Sequence, residues 1–225
     1  MREAGLSVDR RESLTRLRRA AIVAFGLHLL AGLAMALVLR HGLETNPNFQ
    51  DRLEFIVDYR ALWICAWLTW TAAALAILYF YLTFASAHQT GDVSDSMLRL
   101  AVLMTAAAIA PDLAAQAVEI GVLPAIAERT LQTNVGIDLF VALHRTTVML
   151  SGYVANGLYS LSALILAWTT RRAYPPWVWT AGVAVGCLGL FLSVAALMDS
   201  ATGMFWSNAL LVPTILFWLA AVARI

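Results

Sequence analysis

Six separate apolar runs, each long enough to cross a bilayer as a helix, leave this chain very few possible folds. They occupy residues 20–39, 61–86, 98–121, 139–170, 177–197 and 205–222. A hydrocarbon core about 30 Å thick takes about 20 residues of helix, and within it every backbone N–H and C=O must be satisfied inside the segment. Strands of a transmembrane barrel would be about 10 residues long and would alternate in polarity. The first run, AIVAFGLHLLAGLAMALVL, does not alternate. The expected fold is all-α: one integral membrane domain over residues 1–225, a polytopic transmembrane bundle of six helices.

Composition excludes the competing classes. The chain is 61% hydrophobic and 13% charged with a mean hydropathy of +0.75, whereas a soluble domain carries about 25% charged residues. A disordered chain needs low hydrophobicity and high net charge, and a secreted disulfide scaffold needs far more than two cysteines. Cys65 and Cys187 fall at different depths in their spans, which argues against a disulfide.

Basic flanks are retained on the cytoplasmic side. The chain has no lysine. Arg2, Arg10, Arg11, Arg16, Arg18, Arg19, Arg99, Arg171, Arg172 and Arg224 fall on one side, and Arg40, Arg52, Arg60 and Arg129 on the other. Both termini are therefore expected in the cytoplasm, with the chain in a bacterial cytoplasmic (inner) membrane. A net charge of +1 gives no support for a nucleic-acid partner, which needs a basic patch larger than such a flank. The first run exceeds the apolar length of a signal peptide and lacks an A-x-A-like cleavage site, so it is expected to stay as a span.

Two segments outside the spans read as amphipathic helices. Residues 6–19 set Leu6, Leu14 and Leu17 among arginines, with Ser7 or Asp9 as a cap, which suits a basic helix on the inner surface in contact with anionic lipids. After the first span, Phe49, Leu53, Ile56 and Val57 recur at helical spacing with Asp51, Arg52, Glu54 and Asp58 on other faces. That pattern predicts a helix resting on the outer leaflet, as a cap or as a lid over a cavity. The inner loop from His88 to Ser96 is a polar turn containing Gly91 and Asp92, with Ser94 or Asp95 as a cap for the third span. RRAYPPWVW stops one helix and starts the next, placing Trp177 and Trp179 at headgroup depth.

Polar groups inside the membrane are candidates for function because an ionisable side chain there costs several kcal/mol (order of magnitude) unless paired or watered. Asp112, Gln116 and Glu119 stand at i, i+4 and i+7 on one face of the third span, just after Pro111. Counted from Leu98, Asp112 lies about 21 Å along the helix and Glu119 about 31 Å. This submerges Asp112 and puts Glu119 near the outer interface. His144 and Arg145 of the fourth span lie close to the depth of Asp112, so three arrangements are open: Arg145 snorkelling to the outer surface, a structural Asp112–Arg145 or Asp112–His144 pair, or a ligand or proton site.

Gly152, Asn156 and Ser160 recur every four residues in the fourth span beside Tyr153 and Tyr159. Ala24, His28, Gly32 and Ala36 form a small-residue face in the first span, and Gly182 and Gly186 a GxxxG in the fifth; such seams join helices. Trp63, Trp67 and Trp70 form a stripe on the second span that faces lipid or lines a pocket for a flat or cationic ligand. Trp206, Asn208, Asp199 and Pro213 sit near the outer end of the sixth.

No signature of known chemistry accompanies these residues. His28, His41, His88 and His144 offer no bis-histidine pair at matched depth for haem, and no C-x-x-C, H-E-x-x-H or P-loop pattern occurs. Neither a cofactor nor a metal is expected. Ser151 follows His144 at i+7, which alone makes no hydrolase. Without lysine no retinal Schiff base can form.

Residues 157–190, GLYSLSALILAWTTRRAYPPWVWTAGVAVGCLGL, combine a long helix, a short basic turn with Pro-Trp and a Gly-rich helix. In this the chain resembles the second half of the six-span bacterial membrane proteins of the domain-of-unknown-function 4386 type. The resemblance implies a six-span bacterial membrane fold and no particular chemistry. The third span departs from those relatives, which tend toward an Arg and Glu pair where this chain has Asp112, Gln116 and Glu119.

The resulting expectation is binding or transport of a small molecule or ion at an outward-facing polar cleft between the third and fourth spans. Asp112, Gln116, Glu119, His144, Arg145 and Asn156 are its ligand-binding residues. Two alternatives are an accessory or assembly subunit of a larger membrane complex, or a homo-oligomer, docking through the glycine seams, and an intramembrane lipid-modifying enzyme using His144 and Asp112. No internal duplication of three spans is evident.

Overall fold

A computed structural model describes residues 2–89, 91, 94–133 and 135–224, with side chains from residue 11 onward except Ser94. The capping roles expected of Ser7, Asp9 and Ser94, the contacts of Leu6 and the place of Asp92 lie outside the described residues. Among the described residues there is no strand, and six helices are long and apolar enough to cross a membrane. The protein is an all-α, multi-pass integral membrane protein.

The first helix, α1 (Arg2–Leu37), carries the basic segment and the first span as one rod. Nothing between Arg10 and Phe25 is Gly or Pro, so nothing interrupts the hydrogen-bond ladder there. A 3-10 turn (Leu39–His41) leads to the expected amphipathic helix α2 (Phe49–Asp58), whose buried residues are Leu53 and Ile56. Asn48 caps it, its side chain accepting from the N–H groups of Gln50 and Asp51. The second span is α3 (Arg60–Ala87), which follows α2 after a break of backbone angle at Tyr59.

The third span, α4 (Ser94–Gly121), continues almost directly into α5 (Leu123–Thr133), an amphipathic helix not foreseen from the sequence. Asp95 receives the N–H of Gly91 at 2.9 Å and so fastens the preceding turn. The fourth span runs from Ile137 to Thr169. It consists of α6 (Ile137–Thr147), a π-helical stretch (Val148–Ala155) and α7 (Asn156–Thr169). The fifth and sixth are α8 (Pro176–Leu197), begun by a proline whose missing N–H is harmless there, and α9 (Ala201–Ala223), capped by Ser200.

Each span packs against the next, and α9 returns onto α1, so the six spans close into an up-and-down ring. At the end that carries both termini, here the terminal face, the ring is filled. Phe80, Tyr81, Phe84 and Trp218 meet largely edge to face, with Leu17, Leu98 and Leu166 around them. At the opposite, far face a second core of Leu39, Leu53, Ile56, Trp63, Leu123, Ala127 and Phe140 joins α2, α5 and α6 into a cap. The outer surface is apolar: Leu62, Leu68, Leu75 and Leu82 of α3, with Leu29, Leu30, Leu33 and Leu37 of α1, are exposed. Cys65 and Cys187 are free and exposed.

The small-residue seams are spent inside the chain. A methyl group on Gly182 would stand 2.8 Å from Ala167 and from Trp218, and one on Gly186 would strike Leu164 and the Ser160 carbonyl. Asn156 donates from Nδ2 to the Gly189 carbonyl at 2.6 Å and to Ser193 Oγ at 2.9 Å. The fourth and fifth spans thus interlock with one another, which removes these seams as free docking surfaces.

Candidate functional site

Between the two cores the ring encloses a cavity of about 610 Å³, within the range of small-molecule sites. It is not a cleft between two helices. His28 and Gly32 of α1, Trp67 and Trp70 of α3, Asp112, Gln116 and Glu119 of α4, His144, Ser151 and Tyr159 of the fourth span, Val185 of α8 and Asn208 of α9 all line it. Its far end reaches Arg40, Leu43, Glu44 and Thr45, and its terminal end stops at Ile77, Tyr81 and Ile215 of the filled core.

Three rungs of polar contacts climb α4. The deepest is Asp112, 7% exposed, which accepts from Ser151 Oγ at 2.6 Å and from the Tyr159 hydroxyl at 3.2 Å. Gln116 forms the middle rung, its Oε1 receiving the Thr71 hydroxyl at 2.5 Å. At the top, Glu119 Oε1 receives the Thr147 hydroxyl at 2.5 Å and lies 3.0 Å from Nδ1 of His144. The Trp63 indole also donates to the Glu119 carbonyl at 2.8 Å, fastening α3 to α4 at that level.

These contacts narrow the sequence reading at Asp112 and Glu119 and correct it at Arg145. Asp112 pairs with neither Arg145 nor His144, because hydroxyls of Ser151 and Tyr159 occupy its two oxygens. Glu119, expected near the outer interface, is 1% exposed, because α4 runs on into α5 and the far cap covers it. Arg145 does not line the cavity: its guanidinium meets Asp199 at 2.9 Å and the Leu197 carbonyl at 3.1 Å, at the turn between the fifth and sixth spans. Asn156 does line the cavity, although its amide nitrogen is engaged by α8.

The tryptophan stripe points inward, not to lipid. Trp63 is fully buried, and Trp67 and Trp70 line the cavity. Residues that sequence reasoning left out also take part. Glu44 sits 3.8 Å from His144 Nε2, beyond hydrogen-bond length, so that the imidazole stands between two carboxylates. Thr147 follows His144 at i+3, a same-face spacing that marks it in retrospect, whereas Ser151, noted at i+7 from His144, serves Asp112 instead. Thr71 carries no such signal.

Arg52 of α2 stands behind the far end of the cavity. It donates to the Gly42 carbonyl at 3.2 Å. Burial lowers its tendency to hold a proton below the ordinary guanidinium value, and the carboxylates Glu44 and Glu119 oppose that effect.

Among the described residues five buried side-chain polar atoms lack a hydrogen-bond partner: Nη1 of Arg145, which is ion-paired with Asp199, and four more, the indole nitrogens of Trp67 and Trp70, Oε2 of Glu119 and Nε2 of His144. These last four all belong to side chains that line this one cavity. Buried polar atoms are normally satisfied, so four orphans on the side chains around one space are groups that bridging water or a bound solute would satisfy. Among the described residues no group of three or more His, Cys, Asp or Glu side chains is arranged to hold a metal ion.

No protein-family model matches the chain, and neither a curated protein nor a solved structure matches it.

Proposed function

We propose that this membrane protein binds a small molecule in its central cavity and admits it from the far face, as a carrier or receptor for that solute. The single observation behind the reading is the set of four unpartnered polar atoms on cavity side chains. A cavity that is reached by the far loops and plugged at the terminal face by Tyr81 and Trp218 supports one-sided access. The arginines on the terminal face, Arg16, Arg18, Arg19, Arg99, Arg171 and Arg172, support placing that face in the cytoplasm of a bacterial cell.

The test is a thermal-unfolding screen of the purified protein in mild detergent against water-soluble amines, acids and neutral solutes. A solute at 100 times its dissociation constant stabilises by about 2.7 kcal/mol, and the shift should vanish in Trp70→Ala. Shifts that survive Trp70→Ala and Asp112→Asn would place binding elsewhere and remove this reading. His144 and Asp112 share the cavity, which also gives the lipid-modifying alternative a place to act; lipid turnover lost in His144→Ala would favour it. Self-association or docking into a larger complex would have to use the lipid-facing surface.

A further inference from the structure

The charges around the cavity are unevenly compensated. At its far end Glu44 and Glu119 share His144, feel Arg52 and have Arg40 at the same mouth. At its deep end Asp112 has only neutral partners, the hydroxyls of Ser151 and Tyr159 and the side chain of Gln116, and no ion pair to it exists among the described residues. A carboxylate has about four lone-pair sites, so these neutral partners leave room for a further contact and supply no counter-charge. The walls just outward of it are aromatic. Thr71, bonded to Gln116, fixes the register, and Trp67 and Trp70 flank it on the same helix. Indole faces attract cations, more strongly where water is excluded.

From this we infer that the cavity takes an organic cation: a positively charged nitrogen or phosphorus centre on an apolar body, with the charge facing Asp112 and the body against Trp67 and Trp70. The inference rests on the reading that the cavity binds a small molecule, and it adds the ligand's charge and polarity. An anion would face Asp112 and Glu119 with no cationic side chain at the deep end to receive it. A neutral polar solute would supply Asp112 with no counter-charge, and a carboxyl buried without one takes up a proton, so the ionised carboxylate is matched only by a cation.

The experiment uses two ions of the same shape and opposite charge, tetraphenylphosphonium and tetraphenylborate. Each is titrated into the full-length protein in lipid nanodiscs, with empty nanodiscs subtracted, and tryptophan fluorescence is read. The inference predicts saturable quenching by tetraphenylphosphonium and at least about tenfold weaker binding of tetraphenylborate, a gap of about 1.4 kcal/mol. Asp112→Asn should lose at least about tenfold in phosphonium affinity, Asp112→Glu should restore part of it, and Arg145→Gln, outside the cavity, should match the native protein. Equal binding of both ions, or undiminished phosphonium binding in a folded Asp112→Asn, overturns the cation assignment and leaves the cavity reading standing. No quenching by either ion overturns both.

Discussion

Nδ1 of His144 lies 3.0 Å from Oε1 of Glu119, a buried contact that joins the third and fourth spans beneath the far cap. The other ring nitrogen, Nε2, is turned toward Glu44 at 3.8 Å. The contact holds Glu119 by one oxygen and leaves the second buried without a hydrogen-bond partner.

Removing the imidazole strands a buried carboxylate. His144→Ala should destabilise the protein by about 3–5 kcal/mol, as breaking one side of a buried pair does. Adding Glu119→Gln to the same chain should recover part of that loss, since the stranded charge goes with it. Thermal unfolding in detergent compares the two; equal losses in the single and double variants would show that the imidazole contributes packing alone.

The fourth and fifth spans touch through glycines, so added volume there has nowhere to go. Gly186→Ala would place a methyl group against Leu164 and the Ser160 carbonyl and should cost about 1–3 kcal/mol. Gly26→Ala meets nothing within 4 Å and should be neutral, or stabilising by up to about 1 kcal/mol through helix propensity. Unfolding midpoints of the two variants give the comparison, and similar midpoints would contradict the interlocked seam.

Arg145 and Asp199 form a rim pair whose carboxylate side chain is 60% exposed. Arg145→Gln should change stability by less than about 1 kcal/mol and leave ligand-induced stabilisation of the protein intact. A large loss of ligand response would return Arg145 to the binding site.

The far cap depends on where α2 begins. Asn48→Ala removes the side-chain oxygen that accepts from Gln50 and Asp51 and should weaken the cap by about 1 kcal/mol. Hydrogen exchange should then quicken in α2 and in its partner α5, while the amides of α8 stay protected; uniform quickening would mean that the cap is no separate unit.

Much of this architecture can be read from the residues. The six spans follow from the bilayer's demand that backbone groups be satisfied locally, and α2 from the spacing of Leu53 and Ile56. The site was legible only as the face carrying Asp112, Gln116 and Glu119. Its partners were not, because rise per residue gives depth along a helix but says nothing of where the helix stops being covered. Glu119 is buried because α5 continues α4 and α2 packs on α5, a tertiary fact with no local sign. The rotation that turns Trp67 and Trp70 inward likewise goes with the packing of α3 between α1 and α4, which no local pattern announces. The π-helical stretch around Ser151, in which the Asn156 N–H reaches back to the Ser151 carbonyl, has no propensity signature, and such stretches recur at functional sites.

The most direct measurement of the central claim is reagent access to the cavity floor. Ser151 touches Asp112, so Ser151→Cys, in a chain with Cys65 and Cys187 replaced by Ala, puts a nearly isosteric thiol beside the deepest carboxylate. A membrane-impermeant cationic methanethiosulfonate should label it when added at the far face of oriented vesicles and fail when added at the terminal face. Labelling from the terminal face, or from neither face in a folded protein, would contradict a water-filled cavity open to one side.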